Sequence, residues 1–146
     1  MIKKILVLFF FLNACGYEPI HINQNDIFYK KITFIGDKQI NRKVISSLNV
    51  KEKPQTNVDN EMILDSSKRV ETTSKDSMGR ALTFRTTLTI KLTLLSDQKI
   101  TKERVFSESF SYQNNDNKYD LFTYQGNVED NLIEKILDNI NIFLQM

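Results

Sequence analysis

Cysteine is almost missing from this chain: 146 residues contain one, Cys15. A lone thiol excludes an internal disulfide framework and any multi-cysteine metal site. There is one histidine, His21, and no tryptophan. His21 stands in a polar stretch with no cysteine or acidic cluster at ligand spacing, so it reads as a solvated side chain. With four glycines and two prolines, no glycine-rich phosphate loop can be drawn. Serines are plentiful, but no Gly-x-Ser-x-Gly elbow holds one as a nucleophile. The expectation is no catalytic residue, no metal and no cofactor. A surplus of one charge is also missing. Of the 20 basic residues, Lys3 and Lys4 precede the first apolar run, and the rest balance the 18 acidic ones. Such a balance argues against a general nucleic-acid binder. No internal repeat or low-complexity tract is visible, and the length suits one domain.

Long apolar runs are missing too. The strongest, Ile5 to Leu12, has eight residues, whereas a membrane-spanning helix takes about 20. Met1-Ile2-Lys3-Lys4 before it and Asn13-Ala14-Cys15-Gly16 after it give the charged, apolar and small-residue regions of a secretory signal. An ordinary leader peptidase wants a small residue three places before the cut, where Leu12 stands. Leu12-Asn13-Ala14-Cys15 instead resembles a bacterial lipobox, in which the cysteine is acylated and the chain is cut just before it. A free thiol is the plainer alternative, but in an oxidising compartment it would be a liability. Two or more acyl chains anchor stably where one does not. Gly16 rather than Asp follows the cysteine, which favours the outer membrane over inner-membrane retention. The expected organisation is a lipoprotein signal peptide over 1–14, a lipidated tether over 15–30 and a single domain over 31–146.

Within that domain the clearest pattern is from Ala81 to Leu95. Leu82, Phe84, Thr86, Leu88, Ile90, Leu92 and Leu94 alternate with mainly Thr83, Arg85, Thr87, Thr89, Lys91 and Thr93. This period of two predicts a long strand with one dry face. Met62 to Ser74 predicts a strand before it, joined by a hairpin turn at Lys75 to Arg80 in which Gly79 supplies a positive φ. Val105 to Tyr112 predicts a third strand after a turn at Ser96 to Lys99, with Phe106, Phe110 and Tyr112 on one face. Upstream, Lys31 to Ile35 predicts a short strand ended by Gly36-Asp37. Ile40, Val44, Ile45 and Leu48 predict a helix near 38–49. Val128, Leu132, Ile133, Ile136, Leu137, Ile140, Phe143 and Leu144 form an apolar helical stripe. Asn127 is a candidate cap for it, with a start near Asp120 as the alternative and Gly126 as a weak point. The fold class is α+β: a two-layer sandwich of about four mostly antiparallel strands with two helices on one face. The aromatic cluster of Phe106, Phe110, Tyr112, Tyr119, Phe122 and Tyr124 is read as packing between the third strand and the final helix.

The order strand, helix, three strands, helix behind a lipobox resembles the LPS-assembly lipoprotein (LptE, or RlpB) family over most of the chain. Ala14-Cys15-Gly16-Tyr17-Glu18-Pro19-Ile20 is similar to that family's start. Phe106-Ser107-Glu108-Ser109-Phe110-Ser111-Tyr112, a polar loop, then Tyr119-Asp120-Leu121-Phe122 is similar to its approach to the last helix. The tail here is rich in Asn and Ile where the family is richer in Ala and Arg. The resemblance implies a non-enzymatic outer-membrane lipoprotein, on the periplasmic side. Its partner would be the LptD-type β-barrel, which it plugs and helps to assemble during lipopolysaccharide transport. Its other contacts would be lipopolysaccharide and, through the acyl chains, the membrane.

A hydroxyl-rich free sheet face bearing Thr83, Thr87, Thr89, Lys91 and Thr93 suits a water-lined lumen. Lipid A phosphates pair with Lys or Arg, and the hairpin region offers Lys68, Arg69, Lys75, Arg80 and Arg85 as a contact set. An ordinary solvated hairpin is the plainer reading of those cations. A lipid-anchored periplasmic accessory or binding protein of an envelope transporter is the second functional reading. An enzyme is the third.

Overall fold

The computed structural model describes residues 27–55 and 59–145. The leader, Cys15, His21 and all but the end of the expected tether lie outside them.

The sheet is built from three long strands and one short one. β4 (Asn60–Lys75), β5 (Ala81–Ser96) and β6 (Lys99–Gln113) form an antiparallel meander. β2 (Lys31–Gly36) joins it in parallel beside β4, in the order β2-β4-β5-β6. Thr and β-branched residues favour these extended stretches because they pack well on a pleated, half-buried surface. Helix α1 (Lys38–Ser47) carries the chain from β2 to β4, the crossover that a parallel pair requires. Helix α2 (Lys118–Gln145) returns along the sheet after β6. The architecture is the expected two-layer α+β sandwich.

Two strands escape the sequence pattern. β1 (Ile27–Tyr29) and β3 (Val50–Glu52) pair in parallel as a small separate ribbon. Three residues are too few to show a period, and two of the three in β3, Lys51 and Glu52, are charged. β1 lies in the last residues of the expected tether. The junction at Lys30 is fixed by its N–H, which donates to the Asn60 carbonyl at 2.8 Å, and by an ion pair to Asp59 at 2.6 Å. β6 also begins earlier than its apolar pattern. Asp97 and Gln98 both take positive φ (49° and 61°), the backbone of a tight two-residue hairpin. That turn draws polar Lys99 to Arg104 into register with β5.

One apolar layer joins sheet and helices. Met62 and Leu64 of β4 and Leu88, Ile90 and Leu92 of β5 are fully buried. They meet Ile40 and Val44 of α1 and Leu132, Ile136 and Ile140 of α2. Burying each such side chain contributes about 1.5–3 kcal/mol. Asp37 caps α1, its carboxylate accepting from the N–H groups of Gln39 and Ile40. Asn117, rather than Asn127, caps α2: its Oδ1 accepts from Tyr119 N at 3.0 Å. The helix then runs unbroken through Gly126, where no atom lies within 4 Å of a notional Cβ. Leu82 departs from the expected dry face and is 50 % exposed. It stands in the half of the sheet beyond the reach of α1, where only α2 provides cover.

Candidate functional site

The distal end of the molecule, where β4 turns into β5, holds most of the sequence-predicted site. Asp76 organises that turn. Its carboxylate accepts from the N–H groups of Met78 and Arg80 at 2.9 and 2.8 Å and pairs with Arg80 Nε at 2.7 Å. The Arg80 guanidinium, then these backbone N–H groups, hold the Asp76 carboxyl below its usual range. Gly79 completes the turn with φ of 80°, as expected.

The five expected cations do not form one cluster. Lys68 and Arg69 are neighbours in β4 and so point to opposite faces. Lys68 lies on the helix side, where its ammonium meets Glu129 of α2 at 2.6 Å. Arg69 and Arg85 lie on the open face. Arg69 is paired with Glu71 at 3.0 Å, and Arg85 Nε donates to Ser111 Oγ at 3.1 Å. Lys75 ends β4 opposite Ala81, and Arg80 is folded onto Asp76.

Sequence reasoning missed the centre of charge on the helix side. The Glu129 carboxylate bridges Lys68 and Lys43, the latter at 2.9 Å from α1, and Lys43 also meets Asp130 at 2.8 Å. Burial opposes the charge on Glu129, but Lys68 and Lys43 together outweigh it and leave the carboxyl below its ordinary pKa. Asp130 and then Glu129 raise the Lys43 ammonium. One carboxylate thus ties β4, α1 and α2 together. The residues are 61 and 86 apart in the chain, so no local pattern could reveal the link.

The open face is lined as expected. Thr83, Thr87, Thr89, Lys91 and Thr93 point away from the helices, though Thr93 is buried beneath its neighbours on that face; Thr87 and Thr89 stand across from Ser109 and Ser107 of β6. Thr89 and Ser107 hydroxyls lie 3.1 Å apart, and Thr93 donates to Glu103 at 3.0 Å. Lys91 pairs with Glu103 at 3.2 Å and, with Thr93, keeps that carboxyl low. Toward the proximal end the face becomes apolar, with Ile35, Ile100 and Val105 exposed.

On the helix side a cleft of about 1240 Å³ opens between the distal turn, the end of β6 and the start of α2. Its apolar floor includes Leu82, Phe84, Phe110, Tyr112 and Tyr124, and its rim includes Arg80 and Lys118. The aromatic cluster is therefore divided. Phe106 packs edge-on against Phe143, and Tyr112 bridges Phe84 and Tyr124. Tyr119 and Phe122 project into solvent instead of packing, because they lie on the face of α2 away from the sheet. Among the described residues, no three His, Cys, Asp or Glu side chains converge as metal ligands. No helix there is long and apolar enough to cross a membrane.

No family model matches the chain, and no curated protein matches it in sequence. Solved structures do match in shape. The crystal structure of rare lipoprotein B from Shewanella oneidensis superposes with a TM-score of 0.55 at 13 % identity, covering 80 % of this chain and 99 % of that one. A minor lipoprotein from Acinetobacter baumannii gives 0.55 at 15 % identity, covering 78 % and 89 %. At these identities the likeness establishes a shared fold, and that fold is the one to which the resemblance to the LPS-assembly lipoprotein family points.

Proposed function

We propose that the chain is a lipid-anchored outer-membrane protein that plugs an LptD-type β-barrel and assists its assembly in lipopolysaccharide transport. Cys15 is its acylation site, it faces the periplasm, and its role is non-enzymatic. The observation that carries this reading is the sheet face that no helix covers. It is about 50 Å long by the rise of a 16-residue strand, and beyond the exposed Ile35, Ile100 and Val105 of its proximal part it is lined by hydroxyls and paired charges. Such a surface stays hydrated and suits a polar lumen better than a bilayer or an apolar interface. The fold shared with rare lipoprotein B supports the reading, as does the lipobox ahead of the domain. Arg69 and Arg85 on the open face, with Lys75 and Arg80 at the turn, form the proposed phosphate-contacting set. Lys68 contributes less, since Glu129 holds it on the other side.

Detergent extraction of the tagged full chain tests the proposal. Co-purification with a much larger barrel is expected, as is loss of surface lipopolysaccharide and of folded barrel on depletion. A free monomer in inner-membrane fractions would move the assignment to a transporter accessory protein. Reversing the charge of Lys75, Arg80 and Arg85 together should weaken lipopolysaccharide binding at least fivefold. Unchanged binding would remove those residues from the site.

A further inference from the structure

The far edge of β6 is open. β6 ends the sheet order, and among the described residues no strand pairs with its outer side. An antiparallel edge strand directs alternate N–H and C=O groups outward, and such a row is a template for another strand. Natural edges are usually kept short, kinked or covered. β6 has 15 residues and neither proline nor glycine. Its irregularity in pairing with β5 lies near its start, between Leu94 and Leu95.

Helix α2 flanks that edge. Between them runs a groove of about 310 Å³ with Phe110, Val128 and Leu132 in its floor. Phe110 and Tyr124 line both this groove and the distal cleft, so the two adjoin. Phe110 is 44 % exposed, an aromatic ring with room for a neighbour. The groove is also acidic. Glu134 and Asp138 line its α2 side. Glu108 points to the same side of the sheet as Phe110, since its cross-strand partner Leu88 is buried in the core. Lys135 offsets one of the two carboxylates that line the groove, and on β6 the nearest helix-side cation, Arg104, stands over Phe106 and Phe143, toward the proximal end from Glu108.

We propose that this groove takes an extended polypeptide segment of a partner protein, which adds to β6 as a fifth strand. An apolar side chain of the segment covers Phe110 and Tyr124, and basic side chains face Glu108, Glu134 and Asp138. Main-chain pairing would supply the affinity and the alternate side chains the selectivity. A strand is the occupant such an edge takes, because extended backbone matches the outward N–H and C=O groups of β6. A second copy of this chain fits less well, since two-fold pairing would bring a second acidic α2 wall toward the first. The inference does not depend on the barrel reading, because it uses only the free edge and its groove.

The test uses the full chain in detergent and a fluorescein-labelled decapeptide of alternating valine and lysine in which one central lysine is replaced by phenylalanine, so that the ring and the remaining lysines share a face. Fluorescence anisotropy should show saturable binding. The same peptide N-methylated at its six central residues keeps every side chain but cannot pair, and should bind at least tenfold more weakly. A version with glutamate for lysine should lose a similar factor. Phe110→Asp and, as an exposed second variant, Glu134→Lys should each weaken the parent peptide at least fivefold with unchanged circular dichroism. Lys91→Glu on the opposite face should not. Equal affinity for the methylated peptide, or no binding of the parent, would overturn the proposal. So would a dimer by light scattering that the peptide leaves intact, which would assign the edge to a second copy. None of these outcomes bears on co-purification with a barrel, so the two ideas fail separately.

Discussion

At the residue scale, two positions set much of the geometry. Gly36 sits where β2 leaves the sheet, with φ of 71°. A Cβ there would lie 2.0 Å from the Ser66 carbonyl oxygen. That carbonyl already accepts from Asp37 N, and the Ser66 hydroxyl donates to the Asp37 carbonyl at 2.9 Å. Gly36→Ala therefore combines backbone strain with a clash against fixed main chain. It should cost at least about 2 kcal/mol in urea unfolding. Glu129 is the other such residue. Glu129→Gln leaves Lys43 and Lys68 without their shared charge and should cost about 1 kcal/mol at neutral pH. Since the folded pKa lies below the ordinary 4.5, its contribution is complete above that value. It is lost as pH falls through the depressed folded pKa. The parent chain should accordingly lose more stability than Glu129→Gln between about pH 5 and pH 3. Parallel losses would show that the clamp does not couple to folding.

At the scale of elements, what the sequence reveals depends on how many residues share one environment. β5 reads clearly because its residues alternate strictly between buried and half-buried from Thr86 to Leu92. α2 reads clearly because its stripe repeats over several turns. Its start does not, because Tyr119 and Phe122 are apolar yet face solvent, so composition and burial part company there. β1 and β3 each give a single side chain to the core, Tyr29 and Val50, and one buried residue sets no period. The β5–β6 turn is a milder case. Asp97 and Gln98 adopt the left-handed backbone without glycine, at some strain. Gln98→Gly should relieve that strain and raise stability by about 0.5–1 kcal/mol, read as a higher urea midpoint with an unchanged slope. The candidate site was legible as a list of cations and hydroxyls, but not as a surface. Strand alternation sends Lys68 and Arg69 to opposite sides, and that division emerges only once register and partners are fixed.

At the scale of the whole molecule, cover is uneven. The ten residues of α1 reach about 15 Å and the 28 of α2 about 42 Å, against a sheet near 50 Å. The proximal half thus carries two helices and the distal half one. Amides of β4 from 68 to 74 should exchange with deuterium faster than those from 60 to 66, since fewer buried contacts oppose local opening. Equal protection would show that the strand opens as one unit. The same lengths have a further consequence. Ile27 and Gln145 both lie at the proximal end, beside the first residues of β4 and the start of β6, while the turn at 76–80 stands at the other. A chain fastened anywhere ahead of Ile27 would therefore carry a rigid measuring rod. Adding or removing residues in the paired strands would move the distal turn by about 3.3 Å for each one, so the span from Ile27 to that turn is written into the length of one hairpin.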